Sequence, residues 1–173
     1  MKTSIALIGF MGTGKSAVGK ALAQRLHKEF IELDAVIVAK AGKSIPEIFR
    51  QDGETHFREL EIEAVREVAA KKNTVIDCGG GVVLNSINID RLKKESVIIC
   101  LTASLPIILK RTPGTSRPLL PTKGRAQSIK NILAYRRPLY RRAADIAVNT
   151  SRLDVDGVVK KIIEQLKKYE SHD

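Results

Sequence analysis

Glycines and a lysine near the start of the chain have the spacing of a phosphate-binding loop. Residues 9–16 read Gly-Phe-Met-Gly-Thr-Gly-Lys-Ser, which matches the pattern Gly-x-x-x-x-Gly-Lys-Ser/Thr. In such a loop the backbone N–H groups converge on phosphates, Lys15 reaches the β and γ phosphates, and the Ser16 hydroxyl ligates Mg²⁺. An apolar strand-like run precedes the segment and a helical pattern follows it, as the motif requires. The sequence therefore predicts a site for ATP and Mg²⁺.

Several classes of nucleotide-binding protein share this loop. A regulatory GTPase also carries Asn-Lys-x-Asp to recognise guanine, and that motif is absent from the sequence. Motors and helicases normally need more than the 173 residues of this chain. A kinase that acts on a small molecule is therefore the leading interpretation. The loop residues expected to bind ATP are Gly12, Thr13, Gly14, Lys15, Ser16 and Ala17.

Candidates for the phosphate acceptor site follow the second and third strand-like runs. Asp34 would orient a substrate hydroxyl or take its proton, although an Asp at this position is equally typical of a helix N-cap. Three glycines at 79–81 would let the backbone approach a ligand closely and form an anion-binding nest, whereas a plain turn needs only one. Arg58 and Arg136, each taken alone, are typical of solvated surface charges.

Apolar runs alternate with helical patterns along the chain, and neither a repeat nor a linker divides it. Five runs have the length of buried strands: 4–8, 30–33, 74–78, 97–102 and 145–149. Helical spacing of apolar residues covers 15–27, 54–70 and 154–166. This alternation predicts a single α/β domain over 1–173, with a parallel sheet between two layers of helices. Ligands of such sheets bind beyond the carboxyl ends of the strands.

Two shorter segments carry local signals. Residues 44–47, Ser-Ile-Pro-Glu, have the spacing of a capping box and predict the start of a short helix. Residues 112–124 contain three prolines and two glycines. We expect this second segment to form a mobile lid over the active site, with a plain surface loop as the alternative.

The charge balance admits several kinds of partner. The chain carries 30 Lys and Arg against 19 Asp and Glu, a formal net charge of +11, which suits nucleic acid or phosphorylated small molecules. Four Phe, three Tyr and no Trp are too few for an interleaved base-stacking surface, so nucleic acid is the weaker interpretation. No apolar run approaches the ~20 residues of a membrane-spanning helix. We expect a cytoplasmic protein with reduced cysteines and no membrane contact.

A set of separated motifs also runs along the chain in a characteristic order. Its members are the phosphate loop, Asp34, Phe49 with 52–54, 57–58, 79–81, 117–120, and Arg136 with 138–140. From about residue 5 to 166 this set resembles the shikimate kinase family. The resemblance implies a P-loop kinase fold whose five-stranded parallel sheet has the order 2-3-1-4-5. It also implies ATP-dependent phosphorylation of the 3-hydroxyl of shikimate, giving shikimate 3-phosphate on the route to chorismate and aromatic amino acids.

The same resemblance implies a substrate-binding segment at about 33–61 and a shikimate pocket. Asp34 would bind the ring hydroxyls, and Arg58 and Arg136 would bind the carboxylate. The backbone of Gly80 would line this pocket. Its neighbours in the motif, also assigned to the substrate, are Gly79 and Gly81.

The nucleotide side has further candidates by resemblance. Arg117 would come down with the lid onto ATP and act in catalysis with Lys15 and Asp34. Lys110, on the helix before the lid, would lie over adenine. Arg152 is a second candidate on the adenine side.

The metal shell departs from the family pattern. The family usually has Asp-x-Asp at the end of the second strand, whereas this chain has Glu32-Leu-Asp34. Glu32 is one methylene longer and could still act through water. Asp77, at the end of the third predicted strand, is a rival in a position where the family often has a small residue. We expect the two acids to share water-mediated roles around a Mg²⁺ that Ser16 ligates.

Two rival functions stay open on the sequence. Another small-molecule kinase, for gluconate or a nucleoside monophosphate, would not explain Arg58, Gly80 and Arg136 converging on a carboxylate. A nucleotide-dependent nucleic-acid-binding protein is favoured only by the net charge. The ligands expected are shikimate and ATP. No extended apolar stripe remains once a core is assigned, so we expect a monomer.

Overall fold

A five-stranded parallel sheet forms the centre of the molecule. The computed structural model describes residues 2–113 and 123–171. The strands lie in the order β2-β3-β1-β4-β5, and every neighbouring pair is parallel. Their bounds are β1 Ser4–Ile8, β2 Glu29–Glu32, β3 Thr74–Asp77, β4 Ser96–Thr102 and β5 Ile146–Asn149. The predicted α/β class and strand order are confirmed.

Helices connect the strands and cover the sheet. A short 3₁₀ helix, Val82–Leu84, follows β3. In the described part of the chain the α-helices are α1 Lys15–Arg25, α2 Leu33–Ala41, α3 Ile45–Gln51, α4 Gly53–Val68, α5 Ser86–Glu95, α6 Leu105–Arg111, α7 Arg125–Ala143 and α8 Val155–Glu170.

The central strand β1 contributes to two separate apolar cores. Ala6 and Ile8 belong to one cluster of buried residues, and Ile5 and Leu7 belong to the other. Successive side chains of a strand point to opposite faces of the sheet, so a strand that is apolar at every position serves both cores. This is why β1 and β4 read as nearly continuous apolar runs rather than as alternating patterns.

The sheet brings the predicted site residues to one edge. At the carboxyl end of β1 the chain enters the phosphate loop, and at the ends of β2 and β3 the residues Glu32 and Asp77 pair in register. The predicted capping box is present as well, because the side chain of Ser44 accepts from the Glu47 N–H and the Glu47 carboxylate accepts from the Ser44 N–H. The box starts α3, which packs against α4.

One local prediction needs correction. β2 ends at Glu32 and α2 begins at Leu33, so Asp34 lies in the first turn of a helix and not at the end of the strand. The Asp is not the N-cap either, since Glu32 occupies that position. An acidic side chain in a first turn is favoured by the positive end of the helix dipole.

Part of the predicted lid lies outside the described residues. This applies to 114–122, and therefore to Arg117. In the described ranges, no helix combines the length and apolar character that crossing a membrane requires. Cys78 and Cys100 are both buried and free. Burial raises the pKa of the Cys100 thiol to about 11 and that of Cys78 still further, so neither is a thiolate near neutral pH.

Candidate active site

The phosphate loop has the backbone that its glycines allow. Gly12 and Gly14 have φ angles of 75° and 94°, in the left-handed region that favours glycine. A Cβ on Gly12 would also lie 2.9 Å from Thr112 Cγ2. Lys15 is the first residue of α1, and its Nζ donates to the carbonyl oxygen of Phe10 across 3.2 Å. The lysine and the helix N-terminus together favour a bound anion at this point.

A cavity of about 260 Å³ lies beside the loop, and hydroxyl and carboxylate side chains line it. Ser16 Oγ donates to Asp77 Oδ2 across 2.5 Å, and Asp77 is buried. Glu32 and Asp34 line the same cavity. Hydroxyl and carboxylate oxygens are the ligands that Mg²⁺ prefers, usually with several waters. No group of three or more His, Cys, Asp or Glu within 2–113 and 123–171 is arranged to hold a metal ion alone.

A second cavity of about 100 Å³ adjoins the first. Its lining combines two cations and two carboxylates with aromatic rings and glycines: Met11, Asp34, Phe49, Phe57, Arg58, Glu61, Gly79, Gly80, Gly81 and Arg136. Asp34, Gly79 and Gly80 also line the first cavity. The structure thus brings the predicted acceptor residues together, and Asp34 lies on the boundary between the two cavities.

Arg58 is held in the second cavity by acidic partners on its own helix. Its Nη1 donates to Glu61 Oε1 across 3.0 Å, and its Nη2 donates to Glu54 Oε1 across 3.2 Å. The guanidinium also lies over the Phe57 ring, 5.1 Å from its centroid. Charge and cation–π contacts therefore fix the direction of the guanidinium before any ligand arrives.

Glu61 is a buried carboxylate that the sequence interpretation did not assign to the site. Only 1% of its surface is exposed. Burial raises the pKa of Glu61, and the charge of Arg58 opposes that rise. The nearby charge of Asp34 adds to the rise. A glutamate on the apolar stripe of a helix was the signal available in the sequence.

Gly81 and, to a smaller extent, Gly79 are required for space, and no glycine of 79–81 is required for an unusual backbone angle. None of the three has a positive φ, so the alternating backbone of an anion-binding nest is not formed. A Cβ on Gly81 would collide with the Arg58 guanidinium, and one on Gly79 would lie 3.2 Å from Asp34 Oδ1. Among the described residues, the three N–H groups donate to no backbone carbonyl. All three residues line the second cavity.

Arg136 reaches the second cavity from α7 and is almost fully buried, with 7% of its surface exposed. A buried guanidinium needs an anionic or hydrogen-bonding partner. One turn later on the same helix, the Tyr140 hydroxyl donates to the Gly80 carbonyl oxygen. Two residues of α7 thus adjoin the glycine segment.

Comparison with known proteins identifies the family. The sequence model described as "Shikimate kinase" matches residues 11–167. A shikimate kinase of Thermodesulfovibrio yellowstonii is 44% identical over 166 residues, which cover 95% of each chain. The chain belongs to the shikimate kinase family. A solved shikimate kinase from Acinetobacter baumannii, in complex with shikimate, has a TM-score of 0.93 and 32% identity over 97% of this chain and 94% of its own.

A more distant structure shares the fold alone. A gluconokinase from Sinorhizobium meliloti has a TM-score of 0.63 and 19% identity over 97% of this chain and 94% of its own. Gluconate was one of the alternative substrates considered on the sequence. At this level of identity the likeness shows a common architecture, so it gives that alternative no support.

Two exposed basic residues are the candidates for the adenine side. Lys110 and Arg152 are exposed, and neither is among the residues that line the two cavities described above. Arg111, which we did not predict, donates to the carbonyl oxygen of Gly12 across 3.3 Å and to the Thr150 carbonyl oxygen across 2.9 Å. It ties α6 to the phosphate loop. Roles for Lys110 and Arg152 remain predictions.

Proposed function

We propose that this chain transfers the γ-phosphoryl group of ATP to the 3-hydroxyl of shikimate, giving shikimate 3-phosphate and ADP on the route to chorismate. One observation carries the proposal beyond family membership. Asp34 lines both the cavity of the phosphate loop and the cavity that holds Arg58 and Arg136. A phosphoryl donor in the first cavity and a carboxylate-bearing acceptor in the second would therefore meet at Asp34.

On the acceptor side, Arg58 and Arg136 are proposed to bind the carboxylate of shikimate. Charge-assisted hydrogen bonds from guanidinium groups to a carboxylate are among the stronger interactions in proteins. The N–H groups of Gly79, Gly80 and Gly81 would complete the pocket. The family match and the shikimate complex of the Acinetobacter protein support these assignments.

Asp34 is proposed to accept a hydrogen bond from the 3-hydroxyl and to take its proton. As the bond from this oxygen to the γ phosphorus forms, the bond from that phosphorus to the β–γ bridging oxygen breaks. The electron pair of the broken bond stays on ADP, and Lys15 stabilises the negative charge there. Catalysis then consists mainly of positioning and charge stabilisation.

For the metal, the residues present fit a Mg²⁺ ion. Ser16 Oγ would ligate it, and Asp77 and Glu32 would accept hydrogen bonds from its waters. The buried Asp77 carboxylate lies in direct contact with the Ser16 hydroxyl, which supports a larger share for Asp77 than for Glu32. When bound, the ion would neutralise charge on the phosphates. Arg117 would add a further positive charge from the lid.

The proposal also covers the oligomeric state, the location and the partners of the protein. We expect a monomer that acts in the cytoplasm and binds no nucleic acid. The net charge of +11 then attracts two anionic substrates, shikimate and ATP.

A substrate panel tests this function. ADP release is measured with ATP and Mg²⁺ in the presence of shikimate, gluconate, nucleoside monophosphates or oligonucleotides. The proposal predicts release that depends on shikimate and stays at background with the others. Release stimulated equally by gluconate, or by an oligonucleotide, would reject it.

A further inference from the structure

We infer that Tyr140 is a positioning residue of the acceptor site, whose hydroxyl holds the glycine segment 79–81 against α7 in the arrangement that shikimate binding needs. The inference rests on the proposed function, since it takes Gly80 and Arg136 as contacts of the acceptor. Tyr140 lines neither of the two active-site cavities. It therefore acts through its neighbours and not by touching the substrate.

The hydrogen bond of Tyr140 gives the middle carbonyl of the glycine segment a partner. The carbonyl oxygens of Gly79 and Gly81 accept from the N–H groups of Val82 and Leu84 in the following turn. The carbonyl oxygen of Gly80 lies between them and accepts from the Tyr140 hydroxyl. Glycines have no side chains with which to pack, and they lose more backbone entropy on ordering than other residues. A bond to the middle carbonyl therefore restricts rotation of the peptide between Gly80 and Gly81.

This bond also fixes the direction of a donor. No peptide bond in the described residues is cis, so the Gly80 carbonyl and the Gly81 N–H lie in one peptide plane and point in opposite directions. With the carbonyl directed at Tyr140, the Gly81 N–H is turned away from α7. Loss of the hydroxyl would leave this plane free to rotate, and the N–H would lose its fixed direction.

The same tyrosine is coupled to Arg136. The two residues are four apart on α7, so they share one face of the helix. A Cβ placed on Gly80 would lie 3.6 Å from Arg136 Nη1 and 3.7 Å from Tyr140 Oη. Both side chains therefore reach one glycine. A movement of the segment would change the distance between Arg136 and the backbone donors that face the same ligand.

The phenol remains a donor throughout the useful pH range. Tyr140 is 5% exposed and belongs to a buried apolar cluster. Burial raises the pKa of Tyr140 to about 12, and the charge of Arg136 opposes this rise. The hydroxyl is thus protonated and directed at the Gly80 carbonyl at any pH used for assay.

Tyr140→Phe removes the hydroxyl and keeps the ring, which makes it the test variant. Tyr135→Phe makes the same change on the same helix at a side chain that is 71% exposed, and it serves as the control. The KM for shikimate, the KM for ATP and kcat are measured for both, with thermal unfolding in parallel. Loss of one hydrogen bond corresponds to about a 2- to 13-fold change in an equilibrium.

We expect Tyr140→Phe to raise the KM for shikimate about 2- to 13-fold, with the KM for ATP unchanged and Tyr135→Phe like the wild type. para-Aminophenylalanine at position 140 carries an N–H donor in place of the hydroxyl, and it should restore the shikimate KM. This substitution also tests the inference if the Phe variant fails to fold. A shikimate KM within twofold of wild type for Tyr140→Phe, an equal rise in both KM values, or no rescue would each overturn the inference.

Arg136→Ala in the same assay separates this inference from the proposed function. If Arg136→Ala leaves the shikimate KM unchanged, the proposed acceptor site is wrong. If Arg136→Ala raises it strongly and Tyr140→Phe does not, only the role of Tyr140 is wrong. A double variant, Arg136→Lys with Tyr140→Phe, should show less than additive effects, because one residue acts through the other.

Discussion

Nη1 of Arg58 lies 3.0 Å from Oε1 of Glu61, and both side chains are largely withdrawn from solvent, with exposed fractions of 13% and 1%. The ion pair joins a proposed substrate-binding cation to a carboxylate that has lost its hydration. Removal of one partner of such a pair leaves the other charge uncompensated. Glu61 thus influences both the direction of Arg58 and the pH dependence of stability.

Glu61→Gln should change how stability varies with pH. The raised pKa of Glu61 means that its contribution to stability is full below the ordinary value of 4.5 and is lost as the pH rises through the folded-state pKa. Glutamine carries no proton to lose. The Tm of Glu61→Gln minus that of the wild type should therefore increase between about pH 5 and pH 8. A difference that stays constant over this range in thermal melts would contradict the raised pKa.

Gly81→Ala should selectively weaken shikimate binding. The added Cβ would collide with the Arg58 guanidinium and displace it from the second cavity. We expect the KM for shikimate to rise at least about tenfold, comparable to loss of one charged hydrogen bond, with little change for ATP. Gly80→Ala is the matched comparison, because its Cβ would be 3.6 Å from Arg136 Nη1, an ordinary contact. Equal effects of the two variants would argue against the steric explanation.

Asp77→Asn should raise the Mg²⁺ concentration needed for activity. The variant keeps the volume of the side chain but removes the buried negative charge beside Ser16. Initial rates titrated with Mg²⁺ should show the half-maximal concentration shifted upward about tenfold, as for other partners of metal ligands. Glu32→Gln should give a smaller shift. An unchanged titration curve for Asp77→Asn would remove this residue from the metal shell.

Arg117→Ala should reduce turnover more than binding. The proposed lid arginine stabilises charge that develops during phosphoryl transfer, and such a donor contributes about 100-fold or more to kcat. We expect the shikimate KM to stay within a few fold of wild type. Steady-state kinetics with both substrates varied measures kcat and the two KM values. A change confined to the KM for shikimate would contradict the proposed role of Arg117 on the ATP side.

The sequence predicted the sheet and the phosphate loop because both depend on local patterns. Apolar runs indicate buried parallel strands, and the loop depends on glycines and Lys15 at fixed spacing. The capping box at Ser44 was likewise a local signal. Strand order and the shikimate kinase family were inferred from the resemblance, and the observed strand order and the family match confirm both.

Residues that act through long-range contacts were harder to predict. Tyr140 meets Gly80 across sixty positions of sequence, and Arg111 meets Gly12 across ninety-nine. No periodicity or spacing encodes such pairs. Asp34 was misplaced by a small margin, because strand and helix follow each other without a loop and the hydrophobic Leu33 fits either element.

The most direct test of the account concerns the carboxylate of shikimate. Calorimetric titration, with ADP and Mg²⁺ present, compares shikimate with its methyl ester in the wild type and in Arg58→Ala. The account predicts that the wild type binds shikimate at least about 30-fold more tightly than the ester, as expected when a buried charge loses its partner, and that Arg58→Ala largely removes this preference. Equal affinity of the wild type for acid and ester would contradict a site built around two arginines.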